Sequence, residues 1–180
     1  MNPKRAGAGK RQRVFVDTNV VIEAFRINCW AALTNRYAVQ TVEKCIEEAL
    51  TGNTGCTDRI QIDPKNMLEG LTARHTVTKI TLATFVIEHP ECDGLDDGEL
   101  HLLAWVKQHI PNRLDNVVLS TADKAAIVAC HRIGEQWLDA VVCLESLAQE
   151  AGVSRRQIRQ LAPHHRKKWL EELKLAIRLT

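Results

Sequence analysis

Asp17 and Asp123 each close a short apolar run. One run is Val14-Phe15-Val16-Asp17, and the other is Val117-Val118-Leu119-Ser120-Thr121-Ala122-Asp123. A brief uninterrupted apolar run suits a strand buried on both faces, as in a parallel sheet. Open α/β sheets build their sites beyond the carboxyl ends of their strands. Two parallel strands would therefore bring both carboxylates to one crevice. Glu43 and Glu47 follow a third run, Tyr37-Ala38-Val39, and Glu99 lies in Leu95-Asp96-Asp97-Gly98-Glu99-Leu100. Helices that follow strands begin at the same edge, so one crevice could collect four carboxylates.

Neighbouring carboxylates repel one another and raise each other's pKa. They stay ionised together only beside a cation, and oxygen-rich sites suit Mg²⁺ or Mn²⁺. A hard metal held by acids suits phosphate esters, because it polarises the phosphoryl oxygen and activates water. The expected chemistry is metal-dependent phosphodiester cleavage. Each acid alone has a plainer reading. A strand-end Asp serves as a turn or N-cap residue, Asp96 and Asp97 as helix caps, and Glu47 and Glu48 as a solvated helix face.

The elements that must position these acids alternate. A strand over 14–16 is followed by a helix over 20–33. A strand over 37–39 leads to a helix over 42–50, with Thr41 as its N-cap. Gly52 and Gly55 open a loop. Helices follow over 64–72, 77–88 and 98–109, and Pro111-Asn112 breaks the chain. After the strand over 117–119 comes a helix to about 131, ended by Gly134. A weak strand over 138–142 and helices over 144–151, 154–161 and 163–179 complete the chain. This order predicts an α/β fold with a central, mostly parallel sheet flanked by helices, plus a C-terminal helical extension.

The charge is divided along the chain of 180 residues. Residues 1–13 hold five Lys/Arg and no acid, and residues 155–180 hold eight Lys/Arg and two acids. Between them lie eleven Lys/Arg and twenty acids. Basic ends around an acidic middle suit a polyanion partner. Residues 1–12 read as a flexible basic tail, 13–150 as the main domain and 151–180 as a basic helical extension. Arg155, Arg156, Arg159, Arg166, Lys167 and Lys168 are the expected RNA contacts. No apolar run approaches the ~18 residues of a membrane span. The six cysteines are scattered without a C-x-x-C pair, which fits reduced thiols and a cytoplasmic location.

Phe15-Val16-Asp17-Thr18-Asn19-Val20 resembles the opening of PIN-domain nucleases. Glu47, six residues after Thr41, resembles that family's second acid. Asp97-Gly98-Glu99-Leu100 resembles its "Gly-Glu" third element, and Leu119-Ser120-Thr121-Ala122-Asp123-Lys124 its last motif. The order and spacing match over residues 13–150. The resemblance implies a PIN-like three-layer fold and a Mg²⁺- or Mn²⁺-dependent endoribonuclease. Its carboxylates would be Asp17, Glu47, Glu99 and Asp123, with the metal on Asp17, Glu99 and Asp123. Asn19 and Thr121 would be supporting groups, Glu43 the alternative second acid and Asp97 the alternative third. Implied partners are RNA, an antitoxin protein if the chain is the toxin of a pair, and a second copy in a homodimer. The rival reading is a catalytically silent RNA-binding or interaction module.

Overall fold

The computed structural model describes residues 11–51, 60–110, 114 and 116–179. The first ten residues of the basic tail, the loop at Gly52 and Gly55 and the break at Pro111-Asn112 lie outside them. The described chain is an α/β fold around a four-stranded, all-parallel sheet. Strands β1 (Arg13–Val16), β2 (Ala38–Val42), β3 (Ala73–His75) and β4 (Val117–Ser120) lie in the order β3-β2-β1-β4.

The two central strands are covered on both faces. On β1, Phe15 enters a core with Val42, Leu119, Leu102 and Val106, while Val14 and Val16 enter another with Val20, Val39 and Leu147. Alternation along a strand sends neighbouring side chains to opposite faces. Three consecutive apolar residues therefore feed two separate cores. Helices α1 (Thr18–Arg26), α2 (Trp30–Arg36) and α9 (Leu144–Glu150) bury residues in one core. Helices α5 (Lys79–Glu88), α6 (Asp97–His109) and α7 (Lys124–Ile133) bury theirs in the other. α3 (Glu43–Thr51) contributes Cys45 to one core and Ala49 to the other, and α4 (Pro64–Gly70) adds Met67.

Four local expectations change. The helix expected over 20–33 is two helices, because Asn28 adopts φ 55° between them. Asparagine tolerates this left-handed region better than most residues, and the Cys29 N–H turns back to Ala24 O at 2.8 Å. Thr41 is a buried strand residue rather than an N-cap. Its hydroxyl donates to Val16 O at 2.6 Å, which ties β2 to β1 beyond their ladder. The strand expected over 138–142 is mainly α8 (Glu135–Ala140), followed by a single parallel bridge from Val141 to Leu119. Trp137, Leu138 and Val141 have helical spacing and all face the core, so burial of one helical face wins over β-propensity. The edge strand β3 carries too few apolar residues to be read from its sequence.

The C-terminal segment shares the cores of the main body. It comprises α10 (Arg155–Ile158), a 3₁₀ turn (Pro163–His165) and α11 (Lys167–Arg178). Ile158 and Leu161 join one core, and Leu170 and Ile177 the other. Gln157 Nε2 donates to Ile27 O (3.1 Å) and Asn28 O (2.9 Å), and Lys174 Nζ donates to Val141 O (2.7 Å). Glu23, buried on α1, forms the central clasp. It accepts from Arg26 Nε (2.6 Å), Arg26 Nη2 (2.5 Å) and the Ala162 N–H (2.7 Å). Burial pushes its carboxyl up, but these donors outweigh that and hold the pKa below the usual value. Removing the carboxylate strands the part-buried Ala162 amide and leaves Arg26, among the described residues, with only its bond to Gln160 O. We predict that Glu23→Ala lowers unfolding free energy by roughly 2–3 kcal/mol, read as a lower urea midpoint at unchanged slope.

Candidate functional site

The strand order fixes where a site should form. The chain moves from β1 outward to β2 and β3, then returns to place β4 on the other side of β1. The reversal leaves a crevice between the carboxyl ends of β1 and β4. Asp17 and Asp123, the two strand-end acids, follow those two strands.

Asp17 is fully buried and caps α1. Its Oδ1 accepts the Val20 N–H at 2.8 Å, and its own N–H donates to Ser120 O at 3.2 Å. Its Oδ2 is buried without a hydrogen-bond partner among the described residues. Burial pushes the Asp17 carboxyl up to about 6, reinforced by the charge of Asp123. The Val20 N–H pulls the other way, as do the Thr121 hydroxyl and the Ala122 N–H, which lie near the carboxylate without completing a hydrogen bond of good geometry. Asp123 repeats the design at half burial, with Oδ1 accepting the Ala126 N–H at 2.9 Å at the start of α7. The Asp123 N–H donates to Thr121 Oγ1 at 3.1 Å, which shapes the turn between β4 and α7.

Glu99 enters from the first turn of α6 and is only 6% exposed. Burial, followed by the charges of Asp17, Asp123, Asp96 and Glu48, pushes its carboxyl up to about 9. Asp17, Asp123 and Glu99 therefore lie close enough to feel one another's charge.

The second acid differs from the expectation. Glu47 points to solvent beside Lys44 (3.4 Å), and Glu43 is also exposed. The acid that turns inward is Glu48. Its Oε2 accepts from Thr18 Oγ1 at 2.6 Å and its Oε1 from the Gly98 N–H at 2.9 Å. The cause lies in where α3 starts. β2 extends through Val42, so α3 begins at Glu43 and Glu48 falls on its inner side. Cys45, one turn earlier, faces the same way and its Sγ donates to Gly98 O at 3.3 Å.

Gly98 makes this contact sterically feasible. A Cβ there would lie 2.9 Å from Thr18 Oγ1 and 3.1 Å from Glu48 Cδ, and it would press on Glu48 Oε2. The Gly-Glu pair thus has two distinct roles: Gly98 admits the Glu48 carboxylate, and Glu99 supplies its own. The one sequence signal that could have singled out Glu48 was its shared face with Cys45, three residues earlier.

The remaining expected residues separate. Asn19 is exposed on α1, and Asp97 is exposed and 3.5 Å from Lys44. Arg155, Arg156 and Arg159 are exposed, but they lie beside the far end of α1, where Gln157 binds Ile27 and Asn28. α1 starts at the acidic crevice, so these arginines sit toward the opposite edge of the sheet. Arg166 is engaged with backbone, donating to Leu161 O and Arg159 O at 3.0 Å each. Lys167 and Lys168 pair at the surface with Glu171 (3.6 Å) and Glu172 (3.8 Å).

Among the described residues, no group of three or more His, Cys, Asp or Glu side chains is drawn together as a ready ligand set for an ion. In donor chemistry, however, the cluster fits a hard cation. It offers only carboxylate oxygens, one of them orphaned in the interior, and their mutual repulsion is what such a charge relieves. A scan of protein families finds no matching family, and searches of curated proteins and of solved structures find no match. No described helix is long and apolar enough to cross a membrane.

The raised pKa of Glu99 has a measurable consequence. The folded chain binds this proton more tightly than an unfolded Glu does. Stability from this group is therefore highest below about pH 4.5 and declines as pH rises toward 9. Glu99→Gln removes the decline. In metal-free buffer we predict a higher melting temperature for Glu99→Gln than for the wild type at pH 8, with the gap closing by pH 5. Differential scanning fluorimetry at the two pH values checks this.

Proposed function

We propose that this chain is a PIN-like, Mg²⁺- or Mn²⁺-dependent endoribonuclease that hydrolyses phosphodiester bonds of RNA. The observation that carries the reading is the buried Asp17 carboxylate, with its orphaned Oδ2, facing the charges of Asp123 and Glu99 at the switch point of a parallel sheet. A structural role does not account for it. Capping α1 uses only Oδ1, and burying further acids beside the cap costs stability.

Asp17, Glu99 and Asp123 would hold the metal. Bound there, the ion would polarise the phosphoryl group and lower the pKa of an attacking water. The chain's own residues do the rest. Val20 and Ala126 N–H groups fix one oxygen each of Asp17 and Asp123, leaving the other oxygen of each free of those caps. Glu48, held by Thr18 and Gly98, adds a fourth carboxyl group at the margin of the crevice. There it is placed to orient water rather than to complete the innermost set.

The acid cluster repels phosphate, so cationic side chains must hold the RNA elsewhere. Arg155, Arg156 and Arg159 are exposed for that role. A strand gripped by them must run along the body to reach the carboxylates.

Two experiments test the reading. With Mg²⁺ or Mn²⁺ and single-stranded RNA, Asp17→Asn and Asp123→Asn are each expected to lose at least ~100-fold in cleavage rate. Glu48→Gln should lose more than Glu47→Gln, which should match the wild type. Equal cleavage by all these proteins removes the site assignment. Replacing Arg155, Arg156 and Arg159 together by Ala should weaken RNA binding and reduce the salt slope by about 2–3. Cleavage of a short oligonucleotide at saturation should be unchanged. Deletion of 155–180 is the poorer test, because that segment is part of both cores.

A further inference from the structure

Four rings form a ladder that runs outward from the core, drawn from β1, β3 and α6. Phe15, buried on β1, has its ring centroid 6.0 Å from that of His75 and 5.5 Å from that of Trp105. His75 stacks on Trp105 at 3.6 Å and 19°, and His109 stacks on Trp105 at 4.3 Å and 10°. Two rings so close to one indole must take its opposite faces, since side by side they would overlap. His75 Nε2 donates to Gln40 Oε1 at 2.9 Å, and His109 Nδ1 donates to Trp105 O at 2.9 Å, so both imidazoles are held in place. Phe15, His75 and Trp105 suffice to brace the edge strand β3 against α6. His109 lies beyond that brace. One face of its ring covers Trp105, and the residue is exposed.

The surroundings of the ladder are cationic. Burial, followed by the charges of His109 and Arg13, holds the His75 imidazole below its ordinary pKa. Arg13 and the two imidazoles thus gather in one place, in contrast to the carboxylates of the crevice. One helix joins the two places. Gly98, His101, Trp105 and His109 recur at i, i+3, i+7 and i+11, which sets them along one flank of α6. Gly98 meets Glu48 at the crevice, and from Glu99 to His109 the helix rises about 15 Å.

We propose that the free face of His109 is a stacking platform for an unpaired base of single-stranded RNA, and that Arg13, on the same side, draws the backbone phosphates. RNA as the ligand rests on the nuclease reading above, but the platform is a separate site and binds without cleavage. Every base has a π-face, so stacking on an aromatic ring tolerates sequence. A ring already held flat by Trp105 loses little freedom on contact, which lowers the cost of binding. An apolar peptide side chain would use the ring and gain nothing from the cations, whereas a nucleotide engages both. A strand stacked here and continued along the flank past His101 arrives at Glu48 and Glu99 without crossing the body.

Fluorescence anisotropy of a labelled oligouridylate, in metal-free buffer at low salt, tests the platform on the full chain. His109→Ala should weaken binding about tenfold, while an abasic oligonucleotide with the same phosphates should bind both proteins alike. His109→Phe, which keeps a ring on Trp105, should retain the affinity of the wild type. His109→Lys, which keeps only a charge, should bind as weakly as His109→Ala. Because His109 is exposed, the urea midpoint should change little in each variant. Equal binding by wild type and His109→Ala overturns the platform even when the wild type cleaves RNA. So do equal losses on the two oligonucleotides, or retention by lysine and not by phenylalanine, which marks an anion contact. A wild type that binds neither oligonucleotide, whatever peptide it binds, overturns it as well. Base-dependent loss in a protein that cleaves nothing upholds the platform and removes only the nuclease reading.

Discussion

Asp17 sits at the end of the central strand with no exposed surface, and one of its two oxygens has no hydrogen-bond partner among the described residues. Much of the local architecture answers to that carboxylate. Its backbone N–H extends the β1–β4 contact to Ser120, and its Oδ1 begins α1 through Val20. A carboxylate held so firmly from one side keeps a defined direction on the other. The cost is electrostatic: burial and Asp123 push its pKa up, and Glu99 beside it is pushed further.

Helix geometry offsets part of this cost. α1, α6 and α7 all begin near the crevice, with Asp17 and Asp123 as caps of two of them and Glu99 in the first turn of the third. Helix N-termini carry unsatisfied N–H groups and partial positive charge, which favour anions. The compensation is incomplete, because both buried acids still lie well above the ordinary carboxylate range. A fold that collects negative charge beyond what its own dipoles neutralise is held at a stability deficit, of the sort found where a site is built for a ligand.

The sheet and the two strand-end acids were legible because their signals are local. Val14-Phe15-Val16 and Val117-Val118-Leu119 read as doubly buried strands, and the acids that end them follow directly. Gly98-Glu99 was legible as a pair, though not for the reason Gly98 is needed. Glu48 was not legible, since its selection depends on β2 running three residues beyond Val39 through a Thr41 hydroxyl bond to another strand. A start one residue later rotates a helix face by about 100°, enough to exchange Glu47 for Glu48. The α1–α2 break was hidden for a related reason. Asn28 gives no stop signal as strong as glycine's, and only the fold shows it in the left-handed region. The position of α10 was equally hidden, because charge runs along a sequence carry no information about which edge of a sheet they will reach.

That last point changes the meaning of the chain's charge division. Arg11 donates to Thr34 O just before β2, at the amino edge of the sheet, and Arg155 to Arg159 lie toward the same edge. Arg11 and the arginines of α10 are thus held away from the acids at the carboxyl edge. The separation is electrostatically sensible. Cationic side chains placed directly in the crevice would pair with Asp17, Glu99 and Asp123 and cancel its negative field. Across the thickness of a domain, exposed charges lie beyond the ~8–10 Å screening length. Each edge can then keep its own sign, acidic at the carboxyl ends of the strands and basic beside Arg155, Arg156 and Arg159.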